Sequence, residues 1–140
     1  MDKIRGTSVI FINSENKALL LLRDDKKGIP FPNCWDIPGG RVEDGESPEE
    51  TIKREMLEEL EMELGNPALF RVYDLHDRME HTFWQRADFD ISKIPLHEGQ
   101  CLRWFTKEEI NRMADDEIAF GFKSILLDFF QHIPFEKDSK

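Results

Sequence analysis

The first 22 residues contain two uninterrupted apolar stretches with a short polar segment between them. Residues 7–12 and 18–22 each have the length of a strand, and the polar residues 13–16 favour a turn, so the pattern predicts a β-hairpin. Strands without alternating polar positions are usually covered on both faces. The hairpin therefore predicts a sheet that lies between helices.

The rest of the chain alternates between short strands and helices. Gly28, Pro30 and Pro32 interrupt residues 24–33, which are predicted to form a loop before a short strand at 34–37. Further strands are predicted over 69–75, 82–89 and 100–105, followed by a short helix capped by Thr106 and Glu109 and a C-terminal helix within 117–132. This order predicts a mixed α/β class.

The clearest helix signal lies in the middle of the chain. Ser47 is a favourable N-cap, Pro48 suits the first helical position, and Glu50 completes a capping box with Ser47. Gly65, with Pro67 just beyond it, is the predicted C-terminal stop. The pattern predicts one helix from Pro48 towards Gly65.

Length and charge restrict the classes of function. The 140 residues fit a single domain, 1–140, and the net charge of −10 argues against a general binder of nucleic-acid polymers or anionic membranes. No apolar run approaches the ~20 residues that span a bilayer. Two cysteines are too few for a disulfide framework, and the charged start lacks the pattern of a signal peptide, so we expect a cytoplasmic protein.

The central helix also separates apolar from acidic positions. Ile52, Met56 and Leu60 form a stripe that is predicted to face the sheet, and a cluster of acids lies beside it within roughly 100° of the helix wheel. The acids are Glu55, Glu58 and Glu59, and Arg54 is spaced to pair with Glu58. At ~5 Å and an effective dielectric of 20, each carboxylate pair costs roughly 3 kcal/mol, and solvent exposure reduces this. A divalent cation would reverse that repulsion, and hard oxygen ligands suit Mg²⁺ or Mn²⁺. A solvated acidic helix face is the alternative.

The spacing of these residues resembles the Nudix box, G-x5-E-x7-R-E-U-x-E-E-x-G-U, in which U is apolar. The matching positions are Gly40, Glu46, Arg54, Glu55, Met56, Glu58, Glu59 and Met62. Glu61 stands where the box has its second glycine, which normally ends the helix, and this departure favours a helix that continues towards Gly65. The segment 35–40 and the late strand at 104–106 also resemble the family.

The resemblance implies a Nudix fold, with a mixed β-sheet sandwiched between α-helices, and hydrolysis of a nucleoside diphosphate linked to another moiety. It implies that Glu58 and Glu59 are metal ligands and that Glu55 is either a ligand or the general base. It further implies that Gly39 offers its backbone carbonyl to a metal, and that Glu46 supports the loop or an outer-shell water. Mg²⁺ is the implied cofactor, with Mn²⁺ as a substitute, and homodimers are common in the family.

Four residues outside the box are further candidates. Glu98 lies in a Glu-Gly-Gln segment that resembles the MutT-like branch, where such an acid joins the metal site; an unrelated loop acid is the alternative. Arg23 follows the second strand, at a position where related enzymes place a basic residue near the substrate phosphates. An ordinary surface arginine is the alternative. Asn33 and Trp35 are candidates for contacts with the nucleobase. The alternative for Asn33 is a turn residue, and the alternative for Trp35 is a core position.

The choice of substrate depends on the chain length and on one short segment. Short length and the Glu-Gly-Gln segment favour a MutT-like nucleoside triphosphate pyrophosphatase that yields a nucleoside monophosphate and pyrophosphate. ADP-ribose, a nucleotide sugar or another nucleoside diphosphate derivative is the alternative substrate. A non-catalytic nucleotide-binding module ranks lower, because loss of box acids would mark it and Glu55, Glu58 and Glu59 are all present.

Overall fold

The computed structural model describes residues 3–132 of the chain. The strands in that range are β1 (Ile4–Ile12), β2 (Ala18–Leu22), β3 (Trp35–Asp36), β4 (Gly39–Arg41), β5 (Ala68–Asp74), β6 (Arg78–Arg86) and β7 (Cys101–Phe105). The helices are α1 (Pro48–Leu60), α2 (Lys107–Arg112) and α3 (Phe122–His132). Within the described residues, no helix combines the length and the apolar character needed to cross a membrane.

One mixed sheet contains all seven of these strands, in the order β3-β2-β1-β6-β5, with β4 paired to β1 and β7 paired to β2. Strand β1 runs parallel to β6 and antiparallel to β2 and β4. It meets β2 at its C-terminal end, where Ile12 lies opposite Ala18, and it meets β4 along its first half, where Ser8 lies opposite Gly39. The segment from β3 to β4 therefore connects two parts of the sheet, and residues 42–47 link it to α1.

Helices cover both faces of the sheet, which confirms the predicted sandwich. Residues 9, 11 and 19 of the hairpin pack on one face against the predicted stripe of α1, which is buried. Residues 10, 12 and 20 pack on the other face against α2 and α3. Because neighbouring residues of a strand point to opposite faces, two covered faces require the uninterrupted apolar sequence seen in the hairpin.

The predicted start of α1 is confirmed in detail. The Ser47 hydroxyl accepts a hydrogen bond from the Glu50 backbone N–H at 3.1 Å, and the Ser47 N–H donates to the Glu50 carboxylate at 2.8 Å. These two bonds satisfy backbone donors that have no partner inside the helix.

We expect Ser47→Ala to lower the free energy of unfolding by about 1 kcal/mol, because the first turn of α1 loses its cap. Urea denaturation followed by circular dichroism measures this change. Ser47→Asp is the matched control, since aspartate also caps helices well and should retain most of the wild-type stability. Equal losses in both variants would contradict a capping role.

The predicted end of α1 is wrong. The helix ends at Leu60, and Glu61 takes a left-handed conformation (φ 50°, ψ 40°) in which its N–H still bonds to the Leu57 carbonyl. The Met62 N–H then bonds back to the Met56 carbonyl, which closes a turn that usually contains glycine. The Glu59 carbonyl, left free by the ending, accepts a hydrogen bond from the His97 N–H at 2.9 Å. The end of α1 therefore depends on hydrogen bonds with the rest of the fold, which the helix propensities of residues 60–65 do not predict.

The boundaries of several other elements also differ from the predicted ones, because contacts with neighbouring parts of the fold or the local backbone conformation set them. Strand β4 was not predicted, because glycines interrupt strands unless a partner such as β1 holds them. The strand predicted over 82–89 is β6, which spans Arg78–Arg86 because its parallel pairing with β1 extends over that whole range. Helix α3 begins at Phe122 rather than within 117–121, because Phe120 has a left-handed backbone (φ 61°). Strand β1 begins at Ile4, three residues before its predicted start, and ends at Ile12 as predicted, whereas β2, β5, β7 and α2 lie within about a residue of their predicted positions.

Candidate active site

A cleft of about 590 Å³ lies beside α1, the segment from β3 to β4 and the loop before β7. Helix α1 contributes Glu55 and Glu59 to its lining, and the loop contributes Glu98. Gly39 and Gly40 line it from β4. The fold therefore brings two acids of the helix together with an acid that lies some forty residues further along the chain.

The two glycines of β4 are required by close packing. A Cβ on Gly39 would lie 2.0 Å from the Thr7 carbonyl oxygen of β1, and a Cβ on Gly40 would lie 2.3 Å from the Glu55 carboxyl carbon. Any side chain at residue 40 would displace the Glu55 carboxylate, and any side chain at residue 39 would separate β4 from β1. The glycines thus let a helix carboxylate lie directly against the sheet.

Arg54 fixes the orientation of the acids around it. Its guanidinium group donates two hydrogen bonds to Glu46, at 2.6 and 3.1 Å, and further bonds to Glu55 at 3.2 Å and Glu58 at 3.3 Å. Hydrogen bonds from Arg54 and Thr51 hold the pKa of Glu46 at about 2. Because a bidentate arginine–carboxylate pair has a defined geometry, Glu46 anchors Arg54, which in turn positions Glu55. The predicted contact between Arg54 and Glu58 is present beside these stronger ones.

Glu59 lies at the centre of the acidic group. Its carboxyl is within hydrogen-bonding range of both Glu55 and Glu98. Burial raises the pKa of Glu59 well above that of a free carboxyl, and the neighbouring Glu55 and Glu98 raise it further. A proton or a cation is needed to stabilise carboxylates at such close range.

The donor set fits a divalent cation in its chemistry. Three carboxylates supply hard oxygen atoms and negative charge, which Mg²⁺ and Mn²⁺ prefer. Among residues 3–132, no three histidine, cysteine or acidic side chains are already arranged around one point. Glu59 contacts both Glu55 and Glu98 instead, so binding a cation would require these side chains to turn towards it.

Glu58 lies apart from the other box acids. Its side chain is 59% exposed, against 15% for Glu55, and it is not part of the cleft lining. Its contact with Arg54 keeps it near Glu55. A role as a ligand requires Glu58 to reach the rim of the cleft.

Arg23 lines the cleft, but its guanidinium group already has several contacts. It forms an ion pair with Asp36 at 2.9 Å, donates to the Pro30 carbonyl at 3.0 Å and lies 5.1 Å from the centre of the Phe120 ring. Burial raises the pKa of Asp36 to about 6, although Arg23 opposes that shift. A phosphate bound by Arg23 would compete with these partners.

Asn33 and Trp35 lie outside the cleft lining. The Asn33 side-chain oxygen accepts a hydrogen bond from Gln100 at 2.9 Å, which ties its loop to the loop of Glu98. Trp35 packs edge-on against Phe105, on the face of the sheet that α3 covers. A contact of either residue with a nucleobase stays a prediction.

The cleft also contains residues that sequence reasoning missed. Lys26 adds a cation, Asp36 adds a buried acid, and His97 lies next to Glu98. Lys26 sits in a charged loop and Asp36 in a two-residue strand, so neither has a sequence pattern that marks it. The proximity of His97 to Glu98 was the one available signal.

Comparison with known proteins identifies the relatives of this chain. A family model described as NUDIX domain matches residues 2–126. An ADP-ribose pyrophosphatase of Methanocaldococcus jannaschii is 42% identical over 122 residues, covering 86% of this chain and 69% of that protein. A putative 8-oxo-dGTP diphosphatase of Bacillus subtilis is 42% identical over 69 residues, covering 49% of this chain and 42% of that protein. The match thus spans less than half of the Bacillus relative.

Solved structures agree with the predicted fold. A MutT protein from Methanosarcina mazei Go1 superimposes with a TM-score of 0.70 over 93% of this chain and 94% of that one, at 22% identity. At this identity the likeness concerns the fold. The prediction of a mixed sheet in a Nudix-type sandwich is confirmed.

Proposed function

The chain belongs to the Nudix family, and from that premise we propose that it is a divalent-metal-dependent pyrophosphohydrolase of nucleoside triphosphates. The observation that carries the proposal is the contact of Glu59 with Glu55 and Glu98 in one cleft. The same cleft contains Arg23 and Lys26. Acids that hold a cation and cations that attract phosphate are both needed for a pyrophosphate substrate.

Nudix hydrolases in general need divalent metal ions, and Mg²⁺ is the ion proposed here, with Mn²⁺ as a substitute. The residues that would hold it are Glu58, Glu59, Glu98 and the Gly39 carbonyl, and Glu55 is either a further ligand or the general base. When bound, such ions neutralise the diphosphate and lower the pKa of water.

The protein's own groups would orient the reaction. Arg54, held by Glu46, keeps the Glu55 carboxylate directed into the cleft. As general base, Glu55 would accept the proton of the attacking water, and Arg23 and Lys26 would attract the phosphate chain. Water adds to one phosphorus, the anhydride bond breaks, and the products are a nucleoside monophosphate and pyrophosphate.

ADP-ribose is the second candidate substrate, and one comparison favours it. The relative whose name includes ADP-ribose pyrophosphatase matches 86% of this chain. Hydrolysis of ADP-ribose would give AMP and ribose 5-phosphate, and hydrolysis of a nucleotide sugar would give a nucleoside monophosphate and a sugar phosphate. A non-catalytic module remains a weaker proposal because the box acids are retained.

A phosphate-release screen separates these substrates. Canonical and oxidised nucleoside triphosphates, ADP-ribose and nucleotide sugars are incubated with the protein and Mg²⁺ or Mn²⁺. We expect triphosphates to release phosphate when inorganic pyrophosphatase is added, because the product is pyrophosphate. Products of ADP-ribose or a nucleotide sugar release phosphate with a phosphomonoesterase instead.

Removal of the metal is the control for this screen. We expect EDTA to abolish turnover and excess Mg²⁺ to restore it. Turnover that is unchanged in EDTA contradicts the metal dependence. Failure of every substrate with either metal contradicts the enzymatic proposal itself.

A further inference from the structure

The end of α1 and the loop that carries Glu98 are joined by a pair of side chains. Glu61 Oε2 lies 2.5 Å from His97 Nε2, and the His97 backbone N–H donates to the Glu59 carbonyl at 2.9 Å. Both contacts connect the last turn of α1 to the residue immediately before Glu98. The helix that presents Glu59 is therefore attached directly to the loop that presents Glu98.

The other side of this loop is attached to β2. The Gln100 N–H donates to the Leu22 carbonyl at 2.8 Å, and its side-chain amide donates to the Arg23 carbonyl at 2.8 Å. Glu98 thus lies between an attachment to the sheet and an attachment to α1. Since residues 97–100 form no helix or strand, these contacts hold the loop backbone on both sides of Glu98.

Glu61 has a backbone conformation that favours glycine, although it carries a side chain. A left-handed conformation is unfavourable for residues with a Cβ, and glycine adopts it without that penalty. A glycine at residue 61 would close the same turn with less strain but would have no group to bind His97. The strained residue is explained if its carboxylate contributes something that glycine lacks.

We propose that Glu61 and His97 form a clamp that positions Glu98 beside Glu59 for metal binding. Glu61 is a positioning residue, because it acts through His97 and the backbone of the loop. The inference rests on the proposed function, since it assumes that Glu59 and Glu98 hold a cation. It assigns a role to the one position at which the chain departs from the Nudix box.

The test compares Glu61→Gly with Glu61→Gln. Residues that orient a metal ligand typically change metal affinity or activity by about 10- to 100-fold when lost. We therefore expect Glu61→Gly to weaken Mn²⁺ binding, measured by titration calorimetry, by about tenfold or more. Its Tm without metal should be unchanged or higher, because glycine relieves the backbone. Glu61→Gln, whose side-chain oxygen still accepts from His97, should retain most of the affinity.

Kinetics give a second readout. In Glu61→Gly we expect the half-saturating Mg²⁺ concentration to rise by a similar factor, with little change in the nucleotide KM at saturating Mg²⁺. His97→Ala should give the same loss, and the double variant should lose no more than either single one, because both act through one contact. Glu63→Gln, an exposed acid two residues further on, is the control and should match the wild type.

Failure of the clamp and failure of the proposed function give different results. If the wild-type protein binds Mn²⁺ and turns over substrate but Glu61→Gly has the same metal affinity, the clamp is refuted and the proposed function stands. If the wild-type protein neither binds Mn²⁺ nor hydrolyses any substrate of the screen, both proposals are refuted. A fall in Tm for Glu61→Gly without loss of Mn²⁺ affinity would show a structural role alone.

Discussion

Glu59→Gln is expected to lower kcat by a factor on the order of 10²–10⁴, because the charge stabilisation that a bound metal ion supplies is worth several kcal/mol and Glu59 is a proposed ligand. Glutamine has the shape of glutamate but lacks its charge, so it neither neutralises a cation nor ligates it well. Glu59 lies between Glu55 and Glu98, and its replacement therefore removes the central acid of the cleft. Steady-state turnover of the best substrate measures the effect.

The fold should survive this change. Removing one of three mutually repelling carboxylates leaves the Tm without metal unchanged or higher, while the rise in Tm on adding Mn²⁺ should shrink. Glu58→Gln is expected to lower turnover as well, through the same metal. Glu49→Gln is the matched control, because Glu49 is exposed on the same helix and pairs with Lys53. Wild-type rates in both Glu58→Gln and Glu59→Gln would show that the metal assignment is wrong.

Glu80→Gln is expected to stabilise the protein at pH 8 by up to roughly 3 kcal/mol. Glu80 lies on β6 with 1% of its surface exposed, and its Oε2 has no hydrogen-bond partner among the described residues. Burial raises its pKa to about 7, and Asp36 adds to that shift, while Ser8 and Arg78 oppose it. Glutamine resembles the protonated acid and has no charge to bury.

The sign of the pH dependence follows from proton binding. The ordinary pKa of glutamate is 4.5, and the pKa of Glu80 in the folded protein is about 7. Between these two pH values the folded protein keeps a proton on Glu80 that the unfolded chain has released. The free energy of unfolding therefore falls as the pH rises through this range. Asp36, with a pKa of about 6, acts in the same direction. The low pKa of Glu46 acts in the opposite direction and below pH 4.5, where its stabilising contribution is lost as the pH falls towards 2.

Urea unfolding without metal, between pH 4.5 and 8, tests this prediction. The difference in stability between Glu80→Gln and the wild type should grow with pH and level off above pH 7. Glu63→Gln removes an exposed carboxylate and should show no such trend. A pH-independent difference between Glu80→Gln and the wild type would mean that Glu80 does not titrate in this range.

The parts of the fold that the sequence predicted are those with local signals. Ser47 and Glu50 lie within one turn of α1, and the apolar stripe of that helix repeats over short distances, so both were visible without the fold. The left-handed turn at Glu61 was not visible, because glutamate favours helices and the turn depends on hydrogen bonds around it.

The candidate site shows the same division. The spacing of Glu55 and Glu59 places both on one side of α1, and both line the cleft. The contributions of Lys26 and Asp36 depend on how the loop after β2 folds, which no local pattern records. Helical spacing did not predict that Glu58 lies outside the cleft lining. Which helix residues reach the cleft depends on the other elements that form it.

The parallel pairing of β1 with β6 has a consequence for biosynthesis. Ser8 and Thr82 are hydrogen-bonded partners although 74 positions separate them in the chain. During translation this edge of β1 has no hydrogen-bonding partner until β6 has left the ribosome. Pairings over such sequence distances slow folding and expose aggregation-prone strands.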